Sequence, residues 1–451
     1  MLGRRLAARA KWRRTERLSL ILDGTVWRRA WPARAYLCDL TSCYSISPGR
    51  DFPCPIDMGE PIKKLTIEGF KSIRKVEDFE LRSLNVMIGA NGAGKSNFVG
   101  FFRLLRELIE QRLQLTVTTE GGADALLYLG PRVTQQLVAK VYFGNNGYEF
   151  ALRPTVDNRL VFADEAAFFR GQFGPIRSSL GSGHTEARLK DRKDDPGISA
   201  RHGVPYYVFD AVSSWVVYHF HDTSATAGVR RQGPINDNES LRPNAENLAA
   251  YLYRIQSTHP HTYEKIRDVV RLAAPFFDDF KLRPVPTKPE LIQLEWLQKD
   301  SDYPFRASQL SDGTLRFMCM ATALLQPSLP ATVLFDEPEL GLHPYALTLL
   351  ANLFQQAARS YGPYVSKQVI VSTQSAPLLN EFAPEDVIIV ERSHGESTFR
   401  RLESANLSEW LQEYALGELW QKNVLGGRPQ NEDSPEPSKV GGGSNGEREE
   451  S

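Results

Sequence analysis

The chain is predicted to fold as an α/β protein around a mixed sheet, with an antiparallel β subdomain towards its N-terminal side and an inserted α-helical lobe. Three observations carry this expectation. Residues 89–96 read Gly-Ala-Asn-Gly-Ala-Gly-Lys-Ser, between an apolar strand candidate and an amphipathic run. A second apolar run, Ala331 to Phe335, ends in Asp336-Glu337. From Gln309 onward, helical and extended patterns alternate again, as a parallel sheet with crossover helices requires.

The elements follow in order. Residues 1–57 carry ten arginines and a charge surplus of +6, and no convincing periodicity. They read either as an Arg-rich transit segment or as an upstream start, with Met58 as the true beginning; the second is the expectation, because the first clear strand follows Met58 directly. Pro61 to Ile73 reads as an edge strand, with Ile62, Leu65, Ile67 and Phe70 on its apolar face. Leu84 to Ile88 is a short apolar strand, and Asn97 to Ile109 has helical apolar spacing. Gly121-Gly122 breaks the chain. Leu137 to Leu152 reads as two strands around Gly144-Asn145-Asn146-Gly147, a hairpin signal.

Residues 185–204 look like a charged loop with little core potential. Val204 to His221, rich in Val, Tyr and Phe, reads as strand. Asn244 to Phe277 reads as helix with the stripe Leu248, Leu252, Ile255, Ile266, Val269, Val270 and Leu272, broken near Pro260. Leu282 to Trp296 reads as a strand pair. The last 22 residues, rich in Glu, Ser, Gly and Pro, read as a disordered tail, and residues 430–451 carry a surplus of −4. The expected domains are an extension at 1–57, a head at 58–429 and the tail at 430–451. Within the head, 58–220 holds the Gly-rich loop and the β subdomain, 221–300 the helical lobe, and 301–429 the second half of the site.

Bulk properties exclude little else. The 451 residues carry 54 basic and 54 acidic side chains, so no global field announces nucleic acid. No apolar run approaches the roughly 18 residues of a membrane span, so no membrane partner is expected. Cys38, Cys43 and Cys54 fit no zinc spacing, and only Cys319 sits in the main body, where a core position is expected. A reducing, cytoplasmic compartment follows.

The chemistry lies in spaced strings. Gly89, Gly94, Lys95 and Ser96 match G-x-x-x-x-G-K-[ST], a phosphate-binding loop between strand and helix. Backbone groups of Gly89, Ala90, Asn91, Gly92, Ala93, Gly94 and Asn97 would cradle phosphates at the positive helix start. Lys95 would reach the β- and γ-phosphates, and Ser96 would ligate Mg²⁺. Asp336, ending its strand, would be the second Mg²⁺ ligand, and Glu337 would polarise the attacking water. Gln309-Leu310-Ser311-Asp312-Gly313 puts a hydroxyl and a glycine at a helix start, a second anion site that makes sense when a partner subunit supplies it. Glu339-Leu340-Gly341-Leu342-His343-Pro344 follows, and Gln368 to Thr373 is a strand that delivers Gln374.

These strings resemble the Walker A, signature, Walker B, D-loop and switch motifs of ABC-type ATPases. Together with Gly69-Phe70-Lys71-Ser72, Asp336-Glu337-Pro338-Glu339, His219-Phe220-His221-Asp222 and Leu416-Gly417-Glu418-Leu419-Trp420, they resemble the RecF-like, SMC-type group that lacks coiled coils. The likeness runs from about Met58 to Pro429. Only 77 residues follow Gln374, too few for an added nuclease domain.

The resemblance implies an ATP-binding, ATP-hydrolysing head with Mg²⁺, closing as a homodimer over two nucleotides. Ser311 and Gly313 would act on the partner's ATP, Lys71 would lie near the nucleotide, and Gln374 would sense the γ-phosphate where transporters carry His. It further implies a DNA-binding role in repair or recombination, or else control of a separate effector, such as a nuclease in anti-phage defence.

Two temptations stay open. Gln135 or Gln136 is a candidate for the glutamine between Walker A and the lobe. His219, His221 and Asp222 form either a metal cluster or a structural patch, and Arg230, Arg231 and Arg242 either touch phosphates or belong to a solvated loop.

Overall fold

The helix that follows the Gly-rich loop packs between two six-stranded sheets, and that arrangement fixes where the site lies. The computed structural model describes residues 59–172, 174–195, 203–359, 367–403, 407 and 409–427. The expectations for residues 1–57 and 430–451 fall outside these.

The first sheet is antiparallel and uses β1 (Ile62–Phe70), β2 (Ile73–Glu80), β4 (Leu137–Phe143), β5 (Asn146–Pro154), β6 (Leu160–Gly171) and β7 (Gly174–Gly181), in the order β2-β1-β4-β5-β6-β7. Ile62, Leu65, Ile67 and Phe70 are buried, as their spacing predicts. The strand is not an edge, however: β1 pairs with β2 on one side and β4 on the other. The turn at Lys71 and Ser72 folds β2 back on β1, a hairpin partner that the charged sequence Arg74-Lys75-Val76-Glu77 hides. The hairpin of β4 and β5 forms as expected, and β6 and β7 extend it beyond what the sequence pattern suggests.

The second sheet is mixed. It contains β3 (Leu84–Ile88), β8 (Trp215–Tyr218), β12 (Thr332–Asp336), β13 (Gln368–Thr373), β14 (Val387–Ser393) and β15 (Glu396–Arg401). Numbered so that β9 (Phe277–Phe280), β10 (Glu295–Gln298) and β11 (Pro304–Arg306) form a separate small sheet, its order is β15-β14-β3-β13-β12-β8. All neighbours are parallel except β14 and β15. Every residue of β3 is buried, which is why this strand reads as a continuous apolar run.

Helix α1 (Lys95–Ile109) lies between the sheets. Its Phe101 ring meets Phe70 of β1 edge-on at 5.9 Å, while Phe98 meets Phe399 of β15 at 5.3 Å. The phosphate-binding loop at the head of α1 is therefore clamped by aromatic packing from both sides.

Val204 to Ser213 forms helix α2, not strand, and only Trp215 to Tyr218 is extended. Pro205 sits in the first helical turn, where its missing N–H costs nothing, and Pro205, Val208, Ala211 and Val212 are buried at helical spacing. The β-branched and aromatic residues that suggest a strand are spent on a core-facing helix.

Residues 185–195 also carry more structure than their charge implies. Ala187 and Leu189 are fully buried. The Glu186 carboxylate accepts the backbone N–H groups of Leu113 and Gln114 at 2.7 and 2.9 Å.

The lobe contains α3 (Leu248–Thr258) and α4 (Pro260–Ala273), broken at Pro260 as expected. Helices α5 (Asp312–Leu325), α6 (Pro344–Ala358), α7 (Ala376–Leu379) and α8 (Leu416–Gln421) complete the second half. Cys319 is buried in α5, as expected, and burial pushes its thiol up to about 12.

Candidate functional site

Four loops converge at the carboxyl ends of β3, β13, β12 and β8. Because β13 lies between β3 and β12, the sheet presents, side by side, the loop after β3 (Gly89–Ser96), Gln374 after β13 and Asp336-Glu337 at the end of β12. Open parallel sheets place their ligand sites at such strand ends.

Gly89 and Gly94 of the first loop are steric requirements. Gly94 has φ 114°, and a Cβ there would lie 2.1 Å from the Ser397 hydroxyl. Ser397 in turn donates to the Ala93 carbonyl at 2.6 Å and shares a hydrogen bond with the Ser72 hydroxyl at 2.7 Å, and the Asn97 amide donates to Ser72 Oγ at 2.6 Å. Ser72, next to the expected Lys71, is thus the residue that braces the loop. Lys71 itself faces Glu120 at 2.8 Å, in an open groove it shares with Ser72, Asn97, Asp124 and Arg392. Gly427 reaches back as well: its carbonyl accepts the Ala90 N–H at 2.8 Å. No local sequence signal predicts these braces, since Ser397 and Gly427 lie more than 300 residues from the loop and Ser72 lies 25 residues from Asn97, on a different strand turn.

Lys95 is 4% exposed. Its ammonium donates to the carbonyls of Gly89 and Ala90 at 2.7 and 3.0 Å. Burial lowers its pKa, against the pull of Glu337, Asp336 and Glu339. A cation folded onto its own loop, with three carboxylates near it, is poised to exchange carbonyls for phosphate oxygens.

The acids are held from β13. Asp336 accepts a hydrogen bond from the Ser372 hydroxyl. The Glu337 N–H donates to the Ser372 carbonyl at 2.8 Å, with the Glu337 backbone left-handed at φ 45°. For a residue with a Cβ this conformation is costly and turns the carboxylate away from the strand direction. The Gln374 amide donates to Glu337 Oε1. Ser96 is exposed at the start of α1 and Asp336 is half-buried. Their oxygen donors fit a hard cation such as Mg²⁺.

Ser311 caps α5, accepting the Thr314 N–H at 3.2 Å. Gly313 packs on the 339–343 turn so closely that a Cβ would lie 2.0 Å from the Gly341 carbonyl. Among the described residues, the hydrogen bonds of Ser311 stay within its own helix start.

Arg316, one turn on, is buried. It donates to the Phe220 and His221 carbonyls at 2.8 and 3.2 Å, and to that of Leu340. Arg230 is equally internal: it donates to the Thr223, Ala307 and Leu310 carbonyls and pairs with Asp312 at 2.7 Å. Neither expectation for Arg230 holds, because its guanidinium is consumed in fastening the loop after β8 to the start of α5. Arg242 pairs with Asp237 at 2.6 Å.

Gln135 and Gln136 line a separate hollow with Gly69, Arg74, Tyr128 and Arg153. His221 borders the acids, together with Tyr218, Phe220 and Arg316. Strand β8 pairs with β12 so that Tyr218 is level with Phe335, and the chain then runs past Asp336 and Glu337. His219 and His221 follow the strand rather than sharing its face. Among the described residues, no three His, Cys, Asp or Glu are arranged to hold a metal by themselves.

Comparisons with known proteins agree with this geometry at the level of family. The family model described as AAA domain, putative AbiEii toxin, Type IV TA system matches residues 84–380, about two thirds of the chain. No curated protein matches significantly. Among solved structures, the chain is similar to an Smc head bound to the C-terminal winged-helix domain of ScpA (16% identity, 76% of this chain and 99% of that chain, TM-score 0.49). It is also similar to a Pyrococcus furiosus Smc head with an extended coiled coil, bound to the C-terminal domain of ScpA (15%, 78% and 98%, 0.47). A third similar structure is the Thermotoga maritima SMC head (15%, 76% and 99%, 0.36).

Proposed function

The chain belongs to the family described as AAA domain, putative AbiEii toxin, Type IV TA system, and from that premise we propose that it is an ATPase whose ATP-bound homodimer works as a conformational switch. The observation that carries the reading is the Gln374 amide on the Glu337 carboxylate, beside Asp336 and across from buried Lys95. A base, a cation and an amide that orients the base have no structural need to meet at one strand edge.

In this reading Lys95 leaves the Gly89 and Ala90 carbonyls for the β- and γ-phosphates. The backbone of residues 89–97 cradles the rest. Mg²⁺, held by Ser96 and Asp336, offsets phosphate charge when bound. Glu337 accepts the proton of the attacking water, and Gln374 keeps that carboxylate aimed, since an amide cannot itself take the proton. Ser311 and Gly313 reach the nucleotide of the partner subunit. Hydrolysis then reopens the dimer.

Two outputs follow from such a switch. One is a DNA clamp for repair or recombination. The other is control of a separate effector, as in defence systems, and the family description, which names a toxin–antitoxin system, favours it.

Steady-state ATPase measured with and without duplex and single-stranded DNA tests both. Turnover absent in Lys95→Ala supports the enzyme. Stimulation by DNA at low salt supports the clamp, and indifference to DNA supports the effector. Turnover equal in Lys95→Ala and wild type refutes the site.

A further inference from the structure

Asp336 and Glu337 are accounted for by the ATPase reading, but a third carboxylate shares their surroundings. Glu339 lies two residues past Glu337, at the start of the turn that carries Gly341 and His343. Its Oε1 accepts the backbone N–H of Gln374 at 2.8 Å. Its Oε2 is buried and forms no well-aligned hydrogen bond, although the Thr373 hydroxyl lies beside the carboxylate and helps to steady its charge. A carboxylate buried with so few donors is costly and calls for an explanation.

The plain explanation, a cap for the short helix α7, is already taken. Ser375 caps that helix, its hydroxyl accepting the Leu378 N–H at 3.2 Å, and Thr373 Oγ1 accepts the Ser375 N–H at 3.0 Å. The Glu339 bond falls outside the cap, on Gln374, whose side chain reaches Glu337. The same turn faces outward: Leu340 and Tyr345 are 41% and 44% exposed. It is also fastened to the signature helix, through Arg316 on the Leu340 carbonyl and Gly341 against Gly313.

We propose that Glu339 is a positioning residue for hydrolysis: it fixes the Gln374 backbone, so that the Gln374 amide stays on Glu337, and it makes that alignment depend on the docking state of the 340–345 turn. This rests on the ATPase reading of the site. The relay runs from the exposed turn to Glu339, to the Gln374 backbone, to the Gln374 side chain, to the water-activating carboxylate. Burial, reinforced by the nearby Glu337 carboxylate, raises the Glu339 pKa above the usual range. A neutral carboxyl in this place still accepts from Gln374 through one oxygen, and the role requires an acceptor rather than a charge.

The test is a double-mutant cycle in the full chain, read by single-turnover hydrolysis and by binding of a fluorescent ATP analogue. Glu339→Leu removes the acceptor; its rate is expected to fall about tenfold or more with binding unchanged within about twofold. Glu339→Gln keeps an acceptor and is expected to recover most of that loss. In a Gln374→Ala background, Glu339→Leu is expected to add little, because the residue acts through Gln374.

Additive losses, or Glu339→Gln as damaged as Glu339→Leu, would overturn the proposal while leaving the ATPase intact. A wild-type chain that neither binds nor hydrolyses ATP would overturn the ATPase reading and the proposal together. Should Glu339→Leu fail to fold, Glu339→Ala, which adds no bulk, takes its place in the cycle.

Discussion

Replacing Glu337 by Gln separates the two things the Glu337 side chain does. Its Oε1 accepts from the Gln374 amide, and an amide oxygen in the same place accepts equally well. The backbone bond from Glu337 to the Ser372 carbonyl at 2.8 Å does not involve the side chain, so the left-handed turn persists. What disappears is the ability to take a proton.

General-base contributions run to about 10²–10⁴-fold, so turnover should fall by at least about a hundredfold, or about 2.7 kcal/mol in the barrier. Binding moves the other way. Removing one of the carboxylates near Lys95 lowers the negative charge that incoming phosphates meet, so ATP should bind as tightly as before or more tightly. A chain that binds ATP and cannot split it should accumulate as a dimer. Light scattering at saturating Mg-ATP reads the mass, and single-turnover hydrolysis reads the chemistry. A monomer under those conditions refutes the sandwich. Turnover within about threefold of wild type refutes Glu337 as the base.

Other outcomes are as definite. Lys95→Ala should abolish binding of a fluorescent ATP analogue while leaving the thermal melt near wild type, because the ammonium's hydrogen bonds, among the described residues, stay within its own loop. Phe98→Ala, at a fully buried ring touching Phe102 and Phe399, should cost about 3–5 kcal/mol in denaturant unfolding. Arg316→Met leaves three carbonyls without their donor and should cost roughly 2–4 kcal/mol by the same measurement. Cys319, its thiol pushed up to about 12 by burial, should resist alkylation at pH 8 in the native chain and react only in denaturant, as peptide mass mapping would read.

What the sequence makes legible is what is local. The 89–96 loop, β3, α1 and the strand into Asp336-Glu337 are each written in consecutive residues, with chemistry and conformation in one string. Helix α2 is misread because Tyr206, Tyr207 and Val208 have strand propensity and only tertiary burial selects the helix. The same holds for β6 and β7, whose pairing is decided by the neighbouring β5. The braces on the loop are illegible for a stricter reason: Ser72, Ser397 and Gly427 meet residues 90–97 only after the sheets assemble. Nothing in Arg230 or Arg316 as residue types distinguishes a buried fastener from a phosphate ligand, because both tasks use the same fork of donors.

In the proposed dimer, those fasteners would let Ser311 and Gly313 act at a distance. Ser311 and Gly313 make their bonds and contacts within α5 and the 339–343 turn, so any push on Gly313 meets the Gly341 backbone directly. Arg316 ties that turn to the carbonyls of Phe220 and His221, beside the acids. In that proposed dimer, a partner pressing on this surface would load two routes to the same carboxylate, one through the 219–221 loop and one through Glu339 and Gln374. If both routes carry the signal, Arg316→Met and Glu339→Leu should each weaken the cooperativity of ATP hydrolysis, and their combination should weaken it further without altering nucleotide affinity. A single route would leave one of the two variants as cooperative as wild type.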